Sequence, residues 1–295
     1  MKAASSSSRT EPDLFPPLAR WIVSGNAENA EEAAFRAGAA LAHLRSIEAA
    51  PDLPLALLRD RLALMAAETC VAITGRREGQ AALRDAVHLT RAGDNTGPAG
   101  MILQQWSRAV LRPMTVLHLG KALPGTSADQ IALCLDVVGG TPVDRAARVI
   151  EAVLTDSPRA EVAALILGDA VLSQAVGREH LLPLVSLAIK PRDLRLRGDD
   201  LRVACHRAVL AGVMRAVPLA GDLARRAVRL QTVAPKLRAK GAAKAVDLFL
   251  SRDALAPSTF GFMSDRAARR LCDRLVELEV VRELTGRDTF RLYGL

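Results

Sequence analysis

The sequence predicts a mostly α protein: a multi-helix bundle followed by a C-terminal winged helix-turn-helix with a short β-hairpin. Three observations carry this expectation. The chain is 50% hydrophobic but only 3% aromatic, with Ala, Leu and Val dominant, and Ala and Leu are strong helix formers. Helix-start signals recur along its length. From Ser264 to Leu295 the pattern then changes from helical spacing to strand, turn and strand. At 295 residues there is ample material for one large domain or two ordinary ones. The expected division is a disordered tail over 1–20, a helical domain over 21–235 and a winged-helix-like domain over 236–295.

The first residues combine a run of serines with Pro12, Pro16 and Pro17 and lack an apolar h-region. This composition predicts a disordered tail and no secretory signal. Glu28 to Ala50 and Leu53 to Thr74 read as two long helices, paired antiparallel across Pro51-Asp-Leu-Pro54. Glu78 to Leu89 reads as a third. Gly93, Asn95, Gly97 and Pro98 mark a connector, and Pro98 suits the first turn of a helix running to Leu111. Pro113 to Gly125 reads as a loop. Ser127 with Gln130, and Thr141 with Asp144, are spaced as capping boxes. Ser157-Pro158 reads as another helix start, running to about Val176. Ile189 to Asp200 reads as a charged linker. Helices are expected again over Leu201 to Ala216 and from Leu219 to about Val233. No fixed-period repeat indicates a solenoid.

The C-terminal stretch is the most specific. Gly241 to Leu250 reads as a first helix with Val246, Phe249 and Leu250 inward. Ala254 to Met263, with Pro257 and Gly261, must supply an irregular middle helix. Ser264 is a good N-cap and Asp265 suits the first turn. Ala267, Leu271, Leu275 and Leu278 recur at helical spacing and predict one buried stripe. At about 100° per residue, Arg266, Arg269, Arg270 and Arg274 share the opposite, solvent-facing arc. Val280, Val281 and Leu284 are strand formers. Thr285-Gly286-Arg287-Asp288 reads as a turn with positive φ at Gly286, and Thr289, Phe290, Leu292 and Tyr293 as the return strand. Arg287 is then at the wing tip and Arg291 on the return strand.

The net charge is +8, and a basic chain is drawn to nucleic acid, anionic membrane or acidic partners. Arg225, Arg226, Arg229, Lys236, Arg238, Lys240 and Lys244 cluster just ahead of the C-terminal module. Sparse aromatics argue against a base-stacking single-strand binder. The expected partner is therefore double-stranded DNA. The expected contacts are Lys236, Arg238, Lys240, Arg266, Arg269, Arg270, Arg274, Arg287 and Arg291. The alternative is a helical protein-interaction module with a structural winged helix, its basic residues a solvated face, and a homodimer or another protein as partner.

Cys70, Cys134, Cys205 and Cys272 are scattered without a C-x-x-C pair, as expected of buried thiols in a reducing compartment. No apolar run reaches the roughly 18 residues of a membrane span, so the expected location is cytoplasmic. Phosphate-loop, dinucleotide-fold, nucleophile-elbow and zincin motifs are absent. No cofactor, metal or enzymatic activity is expected. The best polar constellation is Arg84, Asp85, His88, Arg91 and Asp94, read as a helix-end ion-pair cluster or, alternatively, as a metal or acid–base site of Asp85, His88 and Asp94. Adjacent Cys205 and His206 are not expected to share one helix interior.

Two sets of residues carry a resemblance. The tail from Arg266-Ala-Ala-Arg-Arg-Leu-Cys-Asp-Arg-Leu through Leu295 is similar to winged-helix tails of several bacterial proteins, including those ending Fic proteins. No His-Pro-Phe-x-x-Gly-Asn-Gly-Arg run accompanies it, so AMP transfer is not implied. The block Arg76-Arg-Glu-Gly-Gln-Ala-Ala-Leu-Arg-Asp-Ala-Val-His-Leu-Thr-Arg-Ala-Gly-Asp-Asn-Thr-Gly-Pro-Ala-Gly100 resembles the central signature of a bacterial family catalogued as domain of unknown function 1403. Ala234-Pro-Lys-Leu-Arg-Ala-Lys-Gly241 and the tail also look like that family. The resemblance implies an intracellular bacterial protein and no particular activity.

Overall fold

The structure is a computed structural model that describes residues 14–25, 29–91, 93–287 and 289–295. Most of the predicted tail lies outside the described residues. Its last part does not: Phe15 and Leu18 pack against the core, and α1 follows at Arg20–Val23. Twelve α-helices and one two-stranded sheet make up the regular structure among the described residues.

α2 (Ala30–Glu48) starts where the Asn29 side chain accepts from the Glu32 N–H at 2.8 Å. α3 (Leu55–Ile73) follows after the Pro51–Pro54 turn. The two were expected to pair. Instead α3 packs chiefly on α5 (Gly97–Leu111), and α2 on the long helix α10 (Gly198–Val233). The small stripe Ala33, Ala37 and Ala40 gives α2 a close-packing face for that helix. α4 (Gln80–His88) leans on α5, with Leu83 fully buried.

The predicted loop after Pro113 contains α6 (Val116–Ala122), whose Thr115 cap accepts from the His118 N–H. Both capping boxes form, opening α7 (Ala128–Leu135) and α8 (Pro142–Asp156). Ser157-Pro158 does not open a helix. It makes a turn, and α9 (Glu161–Ala175) begins without a side-chain cap. Ala164 to Ser173 of α9 are all buried, as befits a central helix apolar on every side. Its Asp169 is also fully buried and organises the segment beside it. One oxygen accepts from the N–H groups of Leu184 (3.0 Å) and Val185 (2.8 Å), the other from the Ser186 N–H (3.1 Å) and hydroxyl. Gly212 of α10 lies directly against the Leu184 carbonyl, where a Cβ would not fit.

The two helices expected on either side of Pro218 are one helix of 36 residues. A proline frees the carbonyl four residues earlier. Here both Pro218 and Met214 face solvent, so water can satisfy that carbonyl while the flanking Ala216, Val217 and Ala220 hold the helix to the core. α10 is packed on two sides, by α2 and by α8. That is why Cys205 and His206 are both buried, against expectation. α10 is also long and apolar enough, by length and composition, to cross a membrane, but 56% of its most apolar window is buried inside the protein.

A 3-10 turn at Ala234–Lys236 ends the long helix. α11 (Ala242–Phe249) follows, entered through Gly241 at φ +91°. The expected middle helix is a single 3-10 turn, Pro257–Thr259. α12 (Asp265–Glu277) is capped by Ser264. The hairpin strands are short, β1 (Arg282–Glu283) and β2 (Tyr293–Gly294), paired antiparallel. Leu255 forms an antiparallel bridge to Tyr293 on its far side. Thr289 and Phe290 were expected in the return strand. They lie in the connecting loop, with Phe290 at φ +56°, while Gly286 has its predicted positive φ of +59°. One buried apolar cluster runs from Ile22 to Leu295, so body and tail share a core.

Candidate nucleic-acid interface

The predicted helical phase of α12 is correct to within one position. Ala268, Leu271, Cys272 and Leu275 are buried, Ala267 and Leu278 half-buried, and all four arginines exposed. Arg269 pairs with Asp265 at 2.9 Å and Arg274 with Glu277 at 3.0 Å. Such exposed one-turn pairs are worth little and are readily exchanged for another anion.

α12 lies beside the segment that leaves α10. Between them runs an open groove of 680 Å³. Its cations are Lys236 and Arg238 from one wall and Arg270 and Arg274 from the other. Among the described residues no acidic side chain lines it, and Val233, Leu237, Ala267, Leu271 and Leu278 form its floor. Four of the predicted contacts, separated by more than a full helix in sequence, therefore converge. Lys240 and Arg266 are exposed but do not line the groove. Arg269 lines a different cleft on the other side of α12. Arg225 and Arg226 pair with Asp222 one turn earlier, at 3.8 and 2.8 Å, and do not line the groove.

The hairpin arginines are placed otherwise than expected. Arg287 does not extend freely from a wing tip: its guanidinium pairs with Asp85 on α4. Arg291 donates to the Arg287 carbonyl at 2.9 Å and lies 3.6 Å from Glu283. The hairpin strands are two residues each, and its loop is held to the body through the Arg287–Asp85 pair.

A buried joint not legible in the sequence fastens the tail further. Asp253 accepts from two Arg84 nitrogens, Nε at 2.6 Å and Nη2 at 2.9 Å, and pairs with Arg61. Its own N–H donates to Asp60 at 2.9 Å. Arg61 also donates to the Leu295 carbonyl at 3.3 Å. Burial alone would raise the Asp253 carboxyl, but Arg84 and Arg61 outweigh it and hold the group below its usual value. Burial, with Asp253 close by, pushes Asp60 upward.

The Arg84–Asp94 constellation is thus divided. Arg84 and Asp85 hold the tail, whereas Arg91 and Asp94 are exposed in the following turn. His88 opens onto a cleft, and desolvation holds its imidazole below the ordinary range. No group of three or more His, Cys, Asp or Glu is placed to hold a metal among the described residues. The four cysteines are buried and unpaired. Burial pushes Cys70, Cys205 and Cys272 up to about 12.

Fold and surface together define a mostly helical protein with a basic helix-and-hairpin module fastened to its body. The chain belongs to the family described as protein of unknown function DUF1403, whose model matches residues 5–295. A comparison with curated proteins gives no match.

Proposed function

We propose that this protein binds double-stranded DNA through the groove between α12 and residues 236–239, with a regulatory role. The convergence of Lys236, Arg238, Arg270 and Arg274 on a groove without acidic lining carries the reading. Concentrated cations on one face suit a phosphate backbone better than they suit the isolated helix. The order α11, the Leu255 bridge, a turn, α12 and the hairpin supports a winged-helix-like reading of the tail. Its middle helix is reduced to one turn, and its hairpin arginines are held by the protein itself. That combination favours backbone contact by α12 over base reading by the wing. The four buried thiols fit a reducing, cytoplasmic setting.

Fluorescence anisotropy with a generic duplex tests the proposal. The Lys236→Ala, Arg238→Ala, Arg270→Ala, Arg274→Ala variant should lose most of the affinity, while Arg287→Ala should retain it. A second reading, a protein-interaction module, is favoured by the apolar floor of the same groove. Absence of duplex binding by wild type at low salt would select that second reading.

A further inference from the structure

We propose that the outward face of α2 is a homodimer interface, on which two copies of this chain pack antiparallel about a two-fold axis at Gly38. Glu31, Phe35, Gly38, Ala42 and Arg45 are all exposed and recur at alternating steps of four and three residues. That is the spacing of a coiled-coil seam. α2 meets α10 through a different stripe, Ala33, Ala37 and Ala40, which leaves the seam open.

Three observations name a second copy as the occupant. The first is Gly38. A mid-helix glycine weakens a helix relative to alanine. Within this chain nothing described requires one, since a Cβ at Gly38 would meet no atom within 4 Å. With Ala42 one turn on, it lets a second helix approach closely. The second is shape. Phe35 is 66% exposed and its ring lies 5.5 Å from that of Trp21, itself 54% exposed. In an antiparallel pair centred on Gly38, Phe35 of each copy falls against the gap beside Gly38 and Ala42 of the other. The large side chain thus meets the small ones.

The third is charge. Glu31 stands seven residues before Gly38 and Arg45 seven after. Antiparallel pairing about Gly38 sets Glu31 of each copy against Arg45 of the other, whereas parallel pairing would set like against like. Glu31 has no ion pair among the described residues. Arg45 reaches Glu48 at 3.1 Å, but its side chain is 53% exposed and Glu48 is already held by Arg178. The other polar side chains along the seam are turned to the chain itself. Arg36 donates to the Ser24 and Gly25 carbonyls, Ser46 donates to that of Ala42, and the His43 Nε2 lies 2.9 Å from that of Pro16. A face complementary to its own reverse suits an isologous contact. α2 has 19 residues, about 28 Å of helix. One such seam, flanked by Trp21, is small beside the roughly 800 Å² per partner of a standard interface, so the dimer belongs to the micromolar range.

The test uses the full chain without DNA, so its failure is separate from failure of the DNA reading. Sedimentation velocity should show a monomer–dimer equilibrium with the dimer dominant at about 100 µM. Gly38→Gln meets nothing in the monomer, and glutamine is the better helix former. It should weaken dimerisation about tenfold or more without lowering the melting temperature of the dilute protein. Mild oxidation tests the arrangement, because the four native cysteines are buried. Gly38→Cys sits on the axis and should cross-link to its own copy. Ser46→Cys is far from the axis; its two thiols would stand about 24 Å apart, beyond disulfide reach, and should not cross-link. If Gly38→Gln melts early, the cysteine pair decides. A wild-type chain still monomeric at about 100 µM, a dimer unchanged by Gly38→Gln, or equal cross-linking of the two cysteine variants would overturn the proposal.

Discussion

A single carboxylate, Asp253, joins side chains contributed by widely separated parts of the chain. Its partners Arg61 and Arg84 stand at least 169 residues earlier, so no local pattern announces the joint. By contrast, the Ser264 cap and the positive φ of Gly286 were legible because each depends on its own neighbours. Arg84→Ala leaves a buried carboxylate short of its bidentate partner and should destabilise the protein by about 3–5 kcal/mol. Chemical denaturation measures this directly, and a near-neutral effect would show that the joint is not closed in solution. Three histidines, of which only His206 is buried, give a pH prediction. Desolvation lowers His88, His180 and His206 below the ordinary imidazole value, so folding favours their neutral form. Their contribution is full above the unfolded value of about 6.5 and is lost as pH falls through that value toward the lowered ones. The melting temperature should therefore drop between about pH 7.5 and 5.5. His206→Asn, at the site where Asp144 lies 3.6 Å from the ring, should reduce the drop.

At the scale of elements, local chemistry was legible wherever a cap was complete. Ser127 with Gln130 and Thr141 with Asp144 formed both halves of their boxes. Ser157-Pro158 resembled a third start but lacked an N3 partner, and the chain turned instead. Pro218 suggested a break that burial of the flanking residues overrode. α6 was missed because its seven residues are too few for a clear period. The phase of α12 was legible, and it makes a prediction. Leu271→Ala and Leu275→Ala should each cost about 2–5 kcal/mol, the range for emptying a buried leucine site. In the hairpin, Gly286 has open space around it, so Gly286→Val meets no clash. It meets only the left-handed backbone, and should cost about 1–3 kcal/mol. Calorimetric melting of the three variants separates these effects. An unshifted Leu275→Ala would mean that α12 presents a different face to the core.

For the whole molecule, the helical class was legible from composition, whereas the arrangement of helices was not. Which helix α2 or α3 packs against depends on a 36-residue partner that comes far later in the chain. The basic residues of the interface were legible individually. Their grouping was not, because the fold unites Lys236 and Arg238 with Arg270 and Arg274 and turns Arg287 back to Asp85. The central claim is that this grouped charge meets a phosphate backbone. Its most direct test is the slope of log affinity for duplex DNA against log salt. Each neutralised phosphate contributes about −0.9 to that slope, so four groove cations predict a slope near −3.6 in wild type. The groove variant lacking all four should lose nearly all of that dependence while melting normally. A wild-type affinity indifferent to salt, or an identical slope in the groove variant, would contradict the account.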